Sequence, residues 1–336
     1  MMKKAAWILR RSSLGRAAAP LVAQSVYQVL KLWPALILKN PFLRRWSEVA
    51  QLWAVLDPRG AAIPISFGPL RGFSILNDPA PHFPTFRALG IAEVMNQVLF
   101  ERTIQPGEVI YDVGANVGLH TLLLSRLCGS EGKVYAFEPW PENAEKLAAN
   151  LELNYIRNVE VIPWAVASRS RLAKFRAGPD NSQGKLIDDS SQAASRGDFE
   201  VQAISLDDFV AQRGGRAPSL IKIDVEGGEG EALRGASQLL REVRPIVICE
   251  IHSEVVGEVV RAILTEAGYD CFVLEAGFRP VGAGGSLPHW CHVCACHNGE
   301  ARGLARIPVV RPGRGSLGVS DLRQFARVAR RAAKET

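Results

Sequence analysis

Asp112-Val-Gly-Ala-Asn-Val-Gly118 stands where an apolar run, GEVIYDV, gives way to a second one, GLHTLLLSRLCG. The first run reads as a buried strand over about 108–113, and the second as a helix closed by Gly129. Glycines at such a strand-to-helix turn let a ligand approach the backbone closely. The commonest occupant is a pyrophosphate at the helix N-terminus.

Two residues oppose a pyrophosphate here. The dinucleotide pattern needs glycine where Asn116 stands, and the Asp112 carboxylate would crowd an anion. S-adenosylmethionine has no phosphate and carries a sulfonium and an ammonium, so an acidic strand end suits it. Glu138 follows about 20 residues beyond Gly118, at the end of the next strand. An acid at that offset is placed to accept hydrogen bonds from both hydroxyls of a ribose. A nicotinamide-dependent oxidoreductase is the competing reading.

Working outward, strands and helices alternate. GKVYAFEP is a second strand, and PENAEKLAANLELN a helix with Pro141 at its start. VEVIPWAVA is a third strand, SLIKIDVEG a fourth and PIVICEIH a fifth, with GEGEALRGASQLLREV as one helix between the last two. ISLDDFVAQRG is a short helix, and EVVGEVVRAILTEAG a longer one. YDCFVLEAG and HWCHVCACH close the series as an antiparallel edge hairpin on a short connection. The pattern predicts an α/β fold: a Rossmann-like, mostly parallel seven-stranded sheet with helices on both faces. The domain is expected over 104–299. A basic helical extension (1–55) and a Pro- and Gly-rich lead-in (56–103) precede it, and a basic tail (300–336) follows.

DVGANVGLHT, AFEPWPENAEKLAANLELN, SLDDF, KIDVEGGEGEALRGA and RPIVICEIH, in that order, resemble the FkbM-type methyltransferase family. The match runs from about Gly90 to His252, and GIAE, ending at Glu93, resembles the family's motif upstream of the first strand. The resemblance implies a class I methyltransferase fold, S-adenosylmethionine, and methyl transfer to a hydroxyl of a sugar, glycolipid or secondary-metabolite acceptor. Trp140 departs from the family's smaller residue after Glu-Pro, and Gly228 and Gly230 loosen the helix start after the fourth strand.

The expected cofactor residues are Glu93, Asp112, Gly114, Asn116, Gly118, Thr121, Glu138, Pro139, Trp164 and Asp224. Trp164 either stacks on the adenine or belongs to the core. A methylated hydroxyl must also lose its proton. The fourth and fifth strands end in Lys222, Asp224, Glu250 and His252, which are the expected catalytic residues. Lys222 shares a strand side with Asp224 and either orients it or merely pairs with it. His252 is the expected base, because histidine titrates near neutrality. Glu229 either closes on the substrate site or favours the helix N-terminus. Asp224, Glu250 and His252 offer oxygen and nitrogen donors, but their spacing demands no ion and none is expected.

Net charge is +6, yet residues 1–50 carry a surplus of about eight positive charges and the last 37 about six. The middle is therefore acidic by about eight charges, which excludes the broad basic face that nucleic acid requires. The basic N-terminus, with Trp7, Trp33, Trp46 and Trp53, suits peripheral contact with a membrane surface, and a membrane-associated non-catalytic binding protein is the third reading. The six cysteines, Cys128, Cys249, Cys271, Cys291, Cys294 and Cys296, lie mainly in apolar runs, as reduced core thiols do. A cytoplasmic location, with peripheral contact at the inner membrane face, is the expectation. The partner is a small-molecule or glycan acceptor, and oligomeric state is open.

Overall fold

A computed structural model describes residues 62–65, 69–76, 93–178, 183–187, 198–274, 279–281 and 285–297. The expected helical extension over 1–55, the tail over 300–336 and most of the polar stretch over 178–198 lie outside them. The chain divides into two compact units, Met1–Ala92 with Arg311–Thr336, and Glu93–Val310. In the first, β1 (Ala62–Pro64) and β2 (Ser74–Leu76), within the Pro- and Gly-rich lead-in, form an antiparallel hairpin.

The second unit holds α1 (Val94–Thr103), β3 (Val109–Val113), α2 (Leu119–Cys128), β4 (Lys133–Phe137), α3 (Pro141–Leu153) and β5 (Val159–Ile162). It continues through β6 (Ala165–Val166), β7 (Arg171–Arg176), β8 (Lys185–Ile187), β9 (Asp198–Ile204), α4 (Leu206–Arg213) and β10 (Leu220–Ile223). α5 (Glu229–Arg234), α6 (Ser237–Glu242), β11 (Ile246–Ile251), α7 (Glu254–Glu266), β12 (Tyr269–Val273), β13 (Arg279–Pro280) and β14 (Cys291–His297) complete it.

The main sheet runs β13-β12-β14-β11-β10-β3-β4-β5. β5, β4, β3, β10 and β11 are mutually parallel, and β14 is antiparallel to both its neighbours, β11 and β12. Without the two-residue β13 this is a seven-stranded class I methyltransferase sheet, as expected. The last two long strands do pair antiparallel, but their connection is long and carries β13, and β14 wedges into the sheet instead of ending it.

Two further elements differ from the sequence reading. VEVIPWAVA is two strands in two sheets: β5 ends at Ile162, and β6 joins a separate four-stranded sheet, β6-β9-β7-β8. The single helix expected after the fourth strand breaks into α5 and α6 around Gly235 and Ala236. A side chain at Gly235 would collide with the Ala167 carbonyl. The new start is capped by Asp207, whose carboxylate accepts from the amides of Gln238 (2.8 Å) and Leu239 (3.0 Å).

Alternation along each strand sorts the residues between the two faces of the main sheet. Val109, Tyr111, Val113, Ile221, Ile223, Val247, Cys249, Ile251, Val293 and Ala295 all enter one core. Within it Tyr111, Tyr135, Phe137 and Phe209 pack edge to face with centroids 5.0–5.7 Å apart, each pair contributing about 0.5–1.5 kcal/mol beyond its area. The residues between them, Asp112, Lys222, Glu250 and His292, share the opposite face. All six cysteines are buried and free, so the Cys- and His-rich run over 291–297 is a core strand. Among the described residues no helix is long and apolar enough to cross a membrane.

Candidate active site

The turn after β3 is shaped by close approach. Gly114 has φ 78°, and a side chain there would strike the carbonyl oxygen of Asp224. Gly118 has φ 90° and sits against the Leu147 side chain. Between them Asn116 takes φ 51°, a left-handed conformation that asparagine tolerates better than most residues, and its Oδ1 accepts from the Val117 amide at 2.7 Å.

Glu138, just past β4, is 5% exposed and completes this turn. Its Oε2 accepts from the Asn116 amide (2.7 Å), and its Oε1 from the Trp140 amide (3.0 Å) and the Asn143 side chain (3.5 Å). Burial pushes the Glu138 carboxyl up to about 7, against the pull of those hydrogen bonds. Pro139 follows it and leads to Trp140, whose ring meets Phe175 of β7 edge-on. Trp164 lies between β5 and β6, partly buried against the core.

Asp112 is fully buried. It accepts from the Thr121 hydroxyl (2.7 Å) and pairs with Lys222 (3.4 Å), its opposite number in the β3–β10 register. Lys222, 4% exposed, also donates to the Gly114 carbonyl (3.0 Å) and to Asp224 (3.3 Å). Burial opposes the Lys222 charge, but Asp224 and Asp112 outweigh it and raise the ammonium above its ordinary range. Asp112, Thr121 and Lys222 therefore hold the turn from within.

At the carboxyl ends of β10 and β11 the spacing of contacts changes. His252 Nδ1 meets Glu229 Oε1 at 2.7 Å, and Glu229 is fully buried at the start of α5. The other nitrogen, Nε2, faces Glu226 (3.5 Å), Asp224 (3.7 Å) and Glu250 (3.8 Å). Across the β11–β14 register His292 opposes Glu250 at 3.5 Å and reaches Glu93 at 3.9 Å. His120, in the first turn of α2, lies 3.4 Å from Glu93. Glu93 (φ 49°) and Glu226 (φ 53°) both hold left-handed backbone, a conformation costing on the order of 1 kcal/mol or more for such residues.

Burial works against a charged His252, but Glu229, Asp224 and Glu226 overcome it and lift the imidazole to about 9. The ring is thus an imidazolium at neutral pH, a departure from the near-neutral titration expected of a histidine base. Its cause is the number of acids around it. Burial also raises Glu226 to about 7, partly countered by His252. Asp224 is lowered: burial opposes its charge, and Lys222 and His252 outweigh burial.

The structure thus brings Asp224, Glu250 and His252 together as expected, with Lys222 beneath Asp224. It turns Glu229 onto His252 and adds Glu226, His120 and His292. The two acids are visible in KIDVEGGE, where every acid falls in one turn. The histidines carry no signal in sequence, because only register and helix packing bring them in.

Residues 112–271 match the family model described as Methyltransferase FkbM domain. The hexuronic acid methyltransferase AglP of Haloferax volcanii is 31% identical over 160 residues, covering 48% of this chain and 62% of that protein. A protein-L-isoaspartate O-methyltransferase of Aeropyrum pernix is 38% identical over 104 residues, 30% of this chain and 38% of that one. The 31-O-demethyl-FK506 methyltransferase FkbM of Streptomyces tacrolimicus is 28% identical over 195 residues, 49% of this chain and 74% of that one. The chain spans less than two thirds of the length of the first two relatives. The match to the FkbM methyltransferase domain thus takes in the chain from Asp112 to Cys271, just under half of its length.

Proposed function

We propose that the protein transfers the methyl group of S-adenosylmethionine to a hydroxyl oxygen of a sugar or secondary-metabolite acceptor. One observation carries this reading: among the described residues, six carboxylates, from Glu93, Asp112, Asp224, Glu226, Glu229 and Glu250, gather with Lys222 around the ends of β3, β10 and β11, and β3 neighbours the strand that leads to Glu138. Such a centre repels a pyrophosphate and stabilises a sulfonium or an ammonium.

The residues fit the cofactor. Of the roughly four acceptor sites of the Glu138 carboxylate, two are held by short bonds to the Asn116 and Trp140 amides and one by the 3.5 Å contact to Asn143, so one ribose hydroxyl has a free site and the second would take the place of Asn143. Gly114, Asn116 and Gly118 would bring backbone close to the ligand, and Pro139 and Trp164 would flank the adenine. Glu93 and Asp224 would hold the cationic end, and Thr121 keeps Asp112 in place. The bound cofactor supplies an electrophilic methyl carbon. Transfer forms a carbon–oxygen bond, returns the carbon–sulfur electrons to sulfur and releases the acceptor's proton. His252, held by Glu229, orders the acceptor hydroxyl, its neighbours Asp224 and Glu250 take that proton, and Lys222 positions Asp224.

The names of two relatives support the acceptor class: one methylates a hexuronic acid, and the other a demethylated FK506. The test is incubation of the purified chain with S-adenosylmethionine and uronic-acid-bearing glycans or glycolipids. Mass spectrometry should find a product heavier by one methyl group, together with S-adenosylhomocysteine. Absence of S-adenosylmethionine binding by calorimetry would sink the reading outright. Methyl gain on nitrogen or on a carboxylate would replace the hydroxyl acceptor.

A further inference from the structure

The ends of β10 and β11 carry a second message in the length of their contacts. Six histidine–carboxylate pairs, made by the Nε2 atoms of His120, His252 and His292, span 3.4–3.9 Å. All are too long for hydrogen bonds, which lie at about 2.7–3.2 Å. Two ligands of one divalent ion, each about 2.0–2.4 Å from it, stand roughly 3–4 Å apart. The ligand atoms of Asp224, Glu226 and His252 all lie within 4.8 Å of one another.

The histidine is also prepared as a metal ligand is. A metal-binding imidazole commonly donates its other N–H to a carboxylate, which fixes the ring and the tautomer. The one short contact in this cluster is of that kind: His252 Nδ1 to Glu229 Oε1, at 2.7 Å. Glu229 Oε1 also accepts from the Gly227 amide at 3.0 Å. Its Oε2, on a fully buried side chain, has no hydrogen-bond partner among the described residues. A buried carboxylate oxygen left without a donor is costly, and a water carried by a neighbouring ion would satisfy it. His120, 6% exposed, likewise has an Nε2 without a hydrogen bond, turned toward Glu93.

We infer that Asp224 Oδ1, Glu226 Oε2 and His252 Nε2 bind one divalent cation, the Nε2 proton of His252 leaving as the ion enters, with Glu250 Oε1 as a fourth donor and Glu229 as the positioning residue for His252. Carboxylates suit Mg²⁺ and Mn²⁺, and imidazole suits the later transition metals, so Mn²⁺ matches a set with both. The ion's purpose, to hold the acceptor oxygen and ease loss of its proton, rests on the proposed methyl transfer. Its binding does not.

The test uses the whole chain, stripped with a chelator and titrated with Mn²⁺ while the free-ion electron paramagnetic resonance signal is followed. S-adenosylhomocysteine binding is measured by calorimetry on the same samples. One Mn²⁺ per chain is expected, in the presence or absence of S-adenosylhomocysteine. Glu226→Gln and His252→Gln should each weaken it at least tenfold, and Glu229→Gln by roughly 10–100-fold through loss of the His252 anchor. Circular dichroism checks that each variant is folded. Glu226 is partly exposed, so Glu226→Gln keeps the test open if His252→Gln does not fold. No stoichiometric Mn²⁺ uptake by the wild type, or uptake unchanged in Glu226→Gln, overturns the inference. So does displacement of Mn²⁺ by S-adenosylhomocysteine, which would give the cluster to the cofactor. S-adenosylhomocysteine binding without Mn²⁺ uptake removes the ion alone. Mn²⁺ uptake without S-adenosylhomocysteine binding removes the methyl-transfer reading alone.

Discussion

The turn around Glu138, past β4, and the cluster around His252, past β11, lie at strand ends of one sheet with β3 and β10 between them, and they are built in opposite ways. Around Glu138 the polar groups are already paired: the carboxylate takes the Asn116 and Trp140 amides at 2.7 and 3.0 Å, and Asp112 takes the Thr121 hydroxyl at 2.7 Å. Around His252 the charges stand 3.5–3.8 Å apart, with one short contact, to Glu229. The first region is finished by its own backbone and needs only a diol. The second holds surplus negative charge at distances that its own atoms do not close. A pre-formed cofactor seat beside an under-satisfied acceptor seat lets one protein fix the donor and leave the chemistry to what arrives.

The strongest way to break this contrast is His252→Gln. Turnover should fall by about 10²-fold through misplacement of the acceptor, with little change in S-adenosylmethionine affinity by calorimetry. If the two fall in step, the cluster belongs to the cofactor seat and the contrast fails. Glu138→Ala should do the reverse. It removes hydrogen bonds to a charged acceptor, worth about 1.5–3 kcal/mol each, so loss of two weakens S-adenosylmethionine binding by roughly a hundredfold or more.

A smaller effect is the pH dependence of the cofactor seat. Burial raises the Glu138 carboxyl to about 7. The ribose hydroxyls need it ionised to accept from them, so binding is linked to proton release. Affinity should therefore fall as pH drops below about 7, by up to roughly tenfold per pH unit. Calorimetry in buffers of different ionisation enthalpy measures that release, and Glu138→Gln should flatten the profile. A wild-type affinity constant from pH 8 to pH 6 would remove Glu138 from the ribose.

The smallest expected effect is a control that touches neither region. Ser205 caps α4 by accepting from the Asp208 amide at 3.0 Å. Ser205→Ala should cost about 1 kcal/mol of stability, seen as a lower Tm, with turnover and affinity unchanged. A loss of turnover would mean that the helix carrying Phe209 feeds the site as well as the core.

What could be read from the sequence followed from local rules. Strand ends, turn glycines and the offset from Gly118 to Glu138 are properties of one βαβ unit, so the strand-to-helix turn and its acid were legible before any tertiary contact. The alternation of β11 foretold that Glu250 and Cys249 point to opposite faces. Long-range placement was hidden. His292 reaches Glu250 only through the antiparallel register of β14, and His120 reaches Glu93 only because α1 and α2 pack, with Phe100 against the His120 ring at 5.4 Å. The break at Gly235 was hidden for the same reason: it answers to the Ala167 carbonyl, far away in the chain. So was the charge state of His252, which three acids of the segment after β10, Glu229, Asp224 and Glu226, decide together.

The wedge position of β14 has a consequence for biogenesis. β11 and β12 are not neighbours in this sheet; each pairs with β14, which is made after both. A nascent chain that has emerged only as far as α7 therefore exposes an open strand edge, and it still lacks His292. Such edges invite pairing with other chains. Any premature stop before Cys291 should yield a species that aggregates instead of a weakened enzyme.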